Sequence, residues 1–233
     1  MPDIQITASD GGSFSAYLAM PATTPAAGLV LIQEIFGVNQ VMRDLADGYA
    51  KQGYMVACPD LFWRIEPGVQ ITDQSQAEWD KAFDLMNKFL PGFATGVGDI
   101  QATIAHLRGM EGATGKVGTV GYCLGGSLAY ASSFFTDSDA AVGYYPVQID
   151  DYLGQVPNIK KPLMLHIAES DGFCPPESQT KIKEALATNA LCTAHAYPGV
   201  DHAFAREGGD NFDAATAATA NERTASFFKK HLA

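Results

Sequence analysis

Three side chains, taken in chain order, could carry out nucleophilic hydrolysis: Cys123, Asp171 and His202. A thiol attacks a carbonyl carbon once it has lost its proton. An imidazole can take that proton, and a carboxylate can orient the imidazole and stabilise its charged form. Cys123 lies in Thr119-Val120-Gly121-Tyr122-Cys123-Leu124-Gly125-Gly126-Ser127, an apolar run that passes into G-x-C-x-G-G. Asp171 follows the apolar run Pro162–Ile167, and His202 follows Cys192–Tyr197. Each therefore falls just past the carboxyl end of an expected strand, where open α/β sheets carry their chemistry.

The segment around Cys123 matches the hydrolase nucleophile elbow, G-x-S-x-G between a strand and a helix, with cysteine in place of serine. The glycines have a steric reason, because side chains two positions from the nucleophile would strike the strand or the helix. The thiol then projects at a helix N-terminus, whose positive end favours a thiolate and a developing oxyanion. Each residue alone has a plainer meaning. Cys123 could be a buried cysteine in a Gly-rich turn, Asp171 a turn aspartate before Gly172, and His202 a loop histidine. Glu169 competes with Asp171 for the role of acid. Among the other histidines, His106 and His231 fall in helical segments and His166 and His195 in strand interiors. The order nucleophile, acid, base is what elbow hydrolases use, so the joint reading is a Cys-His-Asp triad forming an acyl-enzyme.

The apolar run Gly28–Ile32 leads into Gln33-Glu34-Ile35-Phe36-Gly37-Val38-Asn39. The loop after this strand donates one oxyanion N–H in such hydrolases, so Ile35 and Leu124 are the candidate donors. Glu34 is unexpected beside a catalytic thiol, because a second negative charge would hold the thiol proton on. Its plainer meaning is a solvated loop glutamate. Arg206, four residues past His202, could pair with Glu34 or with a substrate carboxylate through its planar fork, or be a surface arginine.

The elements that must hold these residues follow from periodicity. Short apolar runs at Gly28–Ile32, Tyr54–Cys58, Val117–Gly121, Ala140–Tyr145, Pro162–Ile167 and Cys192–Tyr197 read as buried strands. Phe14–Leu18 reads as an antiparallel edge hairpin. Helical patterns fill the gaps at Val41–Gln52, Gln76–Phe89, Val97–Arg108, Gly125–Phe134, Pro176–Ala187 and Ala214–His231. The alternation predicts an α/β-hydrolase fold: a single, mostly parallel twisted sheet with helices on both faces, formed by residues 1–233 as one domain.

With 233 residues the chain can bury a large core. A net charge of −11 argues against a nucleic-acid partner. No apolar run approaches the roughly 18 residues of a membrane span. The opening Met1-Pro2-Asp3-Ile4-Gln5 lacks the features of a secretory signal, so reduced thiols in the cytoplasm are expected. Cys58, Cys123, Cys174 and Cys192 show no zinc spacing, and neither metal nor cofactor is expected.

On these residues the chain resembles the dienelactone hydrolases, thiol α/β-hydrolases of chloroaromatic breakdown. The resemblance runs through QEIFGVN (Gln33–Asn39), CPDL (Cys58–Leu61), GVGDI (Gly96–Ile100), GKVGTVGYCLGG (Gly115–Gly126), AVGYYP (Ala141–Pro146), DHAFAR (Asp201–Arg206) and NERT (Asn221–Thr224). It implies a monomeric, cofactor-free enzyme that hydrolyses 4-carboxymethylenebut-2-en-4-olide, a small anionic lactone, to maleylacetate. It implies that Glu34 contacts a neutral thiol at rest and accepts its proton when substrate binds, while Arg206 pairs with the displaced Glu34 and helps hold the substrate carboxylate. The expected resting thiol is therefore protonated and weakly reactive. Tyr144, Phe36 and Leu124 would line the pocket. The family has a second arginine on the helix corresponding to Gln76–Phe89, where this chain has Trp79; Lys81 points to another face. Losing one charge-assisted contact costs about 1.5–3 kcal/mol, so a less acidic or bulkier ester, or a thioester, is the alternative substrate, with Trp79 stacking on it. An alternative of another class is a non-enzymatic binding or redox-sensing protein that keeps the fold and a reactive thiol.

Overall fold

The computed structural model describes residues 3–233. Met1 and Pro2, which open the segment expected to lack an export signal, lie outside the described residues. Eight strands form one sheet in the order β1-β2-β4-β3-β5-β6-β7-β8, the mostly parallel α/β-hydrolase arrangement. Contacts divide the chain into two units that meet in sequence after Gly118, and each is described by itself.

In the first unit, β1 (Asp3–Thr7) and β2 (Ser13–Ala19) form the expected hairpin at the sheet edge. β2 runs antiparallel to β4 (Met55–Pro59), and β3 (Ala26–Ile32) runs parallel to it. All seven residues of β3 are buried, as a continuous apolar run in a covered sheet requires. Helix α1 (Gln40–Lys51) starts where the Asn39 side chain accepts the N–H of Met42 at 3.2 Å. Helix α2 (Gln76–Phe89) is capped by Ser75, whose Oγ accepts the Glu78 N–H and donates to the Glu78 carboxylate. Helix α3 (Phe93–Gly109) begins four residues earlier than its apolar pattern suggests. Gly96 obscures that start in the sequence, yet a side chain there would meet the Phe89 ring at 2.4 Å.

β5 (Ala113–Tyr122) carries the chain into the second unit, where α4 (Leu124–Phe135), β6 (Ala140–Tyr144), β7 (Leu163–Ala168), α5 (Pro176–Leu186), β8 (Cys192–Tyr197) and α6 (Ala214–His231) follow. β6, β7 and β8 are parallel neighbours. Two 3-10 segments, Leu90–Gly92 and Asp150–Asn158, had no periodicity to announce them. Among the described residues no helix is long and apolar enough to cross a membrane.

β7 leads into Asp171, and its hold on the core is measurable. Leu165 is fully buried in a cluster with Tyr130, Leu163, Ile167 and Ile182. Leu165→Ala should lower the unfolding free energy by about 2–5 kcal/mol. Urea denaturation checks this, and a loss below about 1 kcal/mol would contradict the packing described.

Candidate active site

Cys123 stands between the last residue of β5 and the first of α4, with φ 57° and ψ −118°. A non-glycine residue at positive φ is strained and persists only where its surroundings hold it. Here the Cys123 N–H donates to the Tyr144 carbonyl on β6 at 3.1 Å, and its carbonyl accepts the Ser127 N–H at 3.2 Å. The glycines are needed. A Cβ on Gly121 would lie 1.9 Å from the Gly125 carbonyl oxygen, and one on Gly126 2.4 Å from that of Tyr144. Ser127 ties the first turn of α4 to the loop after β6, its Oγ donating to the Val147 carbonyl (2.5 Å) and accepting the Val147 N–H (2.9 Å). Cys123 is partly exposed, so an ester could reach it. The Leu124 N–H belongs to the first turn of α4, where backbone donors have no intrahelical acceptor.

Asp171 lies just beyond β7 and is buried. Its Oδ2 is 2.8 Å from His202 Nδ1, and its Oδ1 accepts the Phe173 N–H at 2.8 Å. Both carboxylate oxygens are thus used, which holds Nδ1 of the imidazole and leaves Nε2 for another partner. Glu169 points elsewhere and pairs with Lys183 at 3.6 Å. The loop that carries His202 is held at both ends: the Asp201 carboxylate accepts the His202 N–H, and Asn211 donates to the His202 carbonyl. Ala203, the next residue, has φ 64°. His202 is hydrogen-bonded to Cys123 as well as to Asp171. Burial disfavours the charged imidazole, but attraction to the Cys123 sulfur and hydrogen bonds to Asp171 and Cys123 outweigh it and raise its pKa to about 10.

Two rings around the imidazole were not among the expected site residues. Tyr145 and Phe173 meet it edge-on, with centroids 5.0 and 4.9 Å away. Tyr144, the expected pocket residue, is fully buried and bonds through its hydroxyl to Asn221 and Thr224 on α6. The ring against His202 belongs instead to its neighbour, because β6 ends at Tyr144 and Tyr145 turns to φ 35°, off the strand alternation. Phe173 is 52% exposed, an apolar ring beside the imidazole. Arg206 lies in the His202 loop, its N–H donating to the Ala203 carbonyl at 2.9 Å.

The remaining expected residues belong to the first unit. Glu34 and Ile35 are each 3% exposed, so Glu34 is no solvated loop glutamate. Gln33 fixes their loop, accepting the Leu61 N–H and donating to the Glu34 carbonyl, and so joins the QEIFGVN and CPDL segments. Gly37, at φ 77°, passes the Val69 carbonyl where any Cβ would collide. Phe36 meets Trp79 edge-on at 5.0 Å, and Trp79 stacks on Phe83 at 5.6 Å. The Trp79 indole N–H donates to the Asp73 carbonyl. Lys81 is half-buried and paired with Glu66 at 2.6 Å. Among the described residues no cluster of three or more His, Cys, Asp or Glu could hold a metal ion.

A sequence profile described as "Dienelactone hydrolase family" matches residues 14–232. A "Putative carboxymethylenebutenolidase" of Azospirillum brasilense is 51% identical over 239 aligned residues, covering 100% of both chains. The carboxymethylenebutenolidase of Pseudomonas putida is 40% identical, covering 96% of this chain and 94% of its own. The crystal structure of a "Putative Dienelactone Hydrolase" from Klebsiella pneumoniae superposes with a TM-score of 0.86 at 22% identity, covering 98% and 97%; that likeness bears on the fold alone.

The raised pKa of His202 gives a direct expectation. The imidazole should stay protonated to a midpoint near 10, against an ordinary value of about 6.5. Replacing Cys123 by Ala removes the attracting sulfur and should bring the midpoint down. NMR titration of labelled histidine reads both, and a wild-type midpoint at the ordinary value would contradict the placement of His202 between Asp171 and Cys123.

Proposed function

We propose that this chain, which belongs to the dienelactone hydrolase family, hydrolyses a small lactone or ester through an acyl-enzyme on Cys123. The observation that carries the mechanism is the 2.8 Å bond between His202 Nδ1 and Asp171 Oδ2 beside a cysteine on a strained elbow. Its expected substrate is 4-carboxymethylenebut-2-en-4-olide and its product maleylacetate, which agrees with relatives named carboxymethylenebutenolidase.

The steps follow from the groups present. The Cys123 thiolate attacks the lactone carbonyl while His202 carries the proton. Negative charge on the carbonyl oxygen is met by the Leu124 N–H at the start of α4 and, in this proposal, by that of Ile35. Collapse breaks the ring C–O bond, and the leaving oxygen takes the proton from His202. The imidazole, held by Asp171, then removes a proton from water, which attacks the thioester. The acid departs and the thiol is restored. Protons move only between side chains, substrate and water, so the scheme calls for no cofactor.

Glu34 and Arg206 enter on the family resemblance, as a second route for the same proton: Glu34, in place of His202, takes the thiol proton when substrate binds and passes it to the leaving oxygen, and Arg206 takes the substrate carboxylate and pairs with the displaced Glu34. Burial of Glu34 supports a role beyond solvation. Phe36, Trp79 and Tyr144 are proposed pocket residues, although the Tyr144 hydroxyl is already committed to α6. We further propose one hydrolase domain acting as a cytoplasmic monomer.

A second reading has a specific observation behind it. Trp79, where the family has an arginine, packs with Phe36 and Phe83 into an aromatic cluster and supports a less acidic, bulkier ester. A redox-sensing role without turnover needs no His–Asp pair and is disfavoured by it.

The test compares kcat/KM for the dienelactone with that for a neutral aryl ester. The proposal expects the carboxylate-bearing lactone to be the better substrate, and Cys123→Ala to lower both activities by about 10³-fold or more. Equal or better turnover of the neutral ester would overturn the dienelactone assignment and favour the second reading. Full activity in Cys123→Ala would overturn the mechanism.

A further inference from the structure

The four residues of the NERT segment sit on α6, and three of them reach the sheet: Arg223 lies over the Tyr197 ring, while Asn221 and Thr224 bond to Tyr144. Thr224 Oγ1 is fully buried, 2.7 Å from the Tyr144 hydroxyl and 2.9 Å from His166 Nε2. The Tyr144 hydroxyl also donates to Asn221 Oδ1 at 2.9 Å, and the Tyr197 hydroxyl lies 2.8 Å from His166 Nδ1.

One assignment of protons satisfies every member. Tyr197 donates to His166 Nδ1, His166 Nε2–H donates to Thr224, Thr224 donates to Tyr144, and Tyr144 donates to Asn221. This needs a neutral imidazole, and burial holds the His166 pKa well below its usual value. A buried chain with each donor and acceptor matched holds its parts in one arrangement, and breaking one link leaves desolvated groups behind.

The two strand residues fixed by Thr224 also hold the catalytic loops through their backbones. The Tyr144 carbonyl accepts the N–H of Cys123 at 3.1 Å, and the His166 carbonyl accepts the N–H of Tyr145 at 2.7 Å. Cys123 is the strained nucleophile, and Tyr145, also at positive φ, is the ring against His202. We propose that Thr224 is a positioning residue for the reaction: from α6 it locks Tyr144 and His166, whose carbonyls keep Cys123 and, through Tyr145, His202 in attacking geometry.

The inference rests on the triad mechanism proposed above. The test measures steady-state hydrolysis by Thr224→Val, which keeps the shape and removes the hydroxyl, and by Thr224→Ser, which restores it. Rates are normalised to the Cys123 thiol titrated in folded protein. Small displacements at a reacting centre are costly, so Thr224→Val should lower kcat roughly tenfold with KM within about twofold, and Thr224→Ser should recover most of it. Tyr144→Phe deletes the same bond from the other side, together with the one to Asn221, and serves if the valine variant does not fold. The double variant should lose less than the product of the two single losses, because the Thr224–Tyr144 bond is broken by both changes. An unchanged kcat, a rise in KM alone, or no recovery with serine would overturn the proposal. If wild type itself forms no acyl adduct on Cys123, the triad mechanism falls and this inference with it. An intact wild-type adduct with an unaffected Thr224→Val variant overturns the inference alone.

Discussion

The arrangement depends on holding Cys123 at a backbone conformation that a side chain resists. At φ 57° the thiol is lifted off the end of β5 and set at the start of α4. The strain, of order 1–3 kcal/mol for such a residue, is sustained from three directions. Gly121 and Gly126 remove the side chains that would collide with Gly125 and Tyr144, hydrogen bonds to β6 and α4 hold both ends of the residue, and Ser127 anchors the first helical turn to Val147. Because the elbow is rigid, His202 and Asp171 need only arrive at a fixed point, and short loops after β7 and β8 deliver them.

Electrostatics then follow from placement. His202 is nearly enclosed, and an isolated imidazole there would stay neutral. The Asp171 carboxylate on one nitrogen and the Cys123 sulfur toward the other reverse that preference. Burial works against the charge and also removes the water that would screen its partners, so the pair strengthens once formed. His166, more deeply buried and flanked by hydroxyls rather than a carboxylate, goes the other way: burial, with His195 and Arg223 nearby, holds its pKa well below the usual value. His166 within β7 and His202 in the loop after β8 are thus pushed in opposite directions by what surrounds their nitrogens.

Much of this was legible in the sequence because it rests on local rules. The elbow glycines, the alternation of apolar runs with helical patterns, and the order Cys123, Asp171, His202 each have a steric or topological cause that leaves a pattern. Cys192–Tyr197 and Ala214–His231 form their elements at the expected bounds, while the first turn of α3 was hidden in the sequence by Gly96, which the Phe89 ring nonetheless requires. What stayed hidden depends on where a strand stops. Tyr144 and Tyr145 are adjacent and chemically alike. Only the turn to φ 35° decides which ring faces His202. Thr224 and Asn221 were visible as part of a family-like segment, yet their partner lies more than seventy residues away on β6, a pairing that periodicity does not encode.

The central claim is that Cys123 carries the acyl group during turnover. Rapid-quench mass spectrometry of the enzyme mixed with a slow ester substrate tests it most directly. The account predicts a transient mass increase equal to the acyl group, mapped by peptide analysis to Cys123 and decaying as product forms. Steady product release with no adduct on Cys123, or an adduct on Cys58, Cys174 or Cys192 instead, would contradict it.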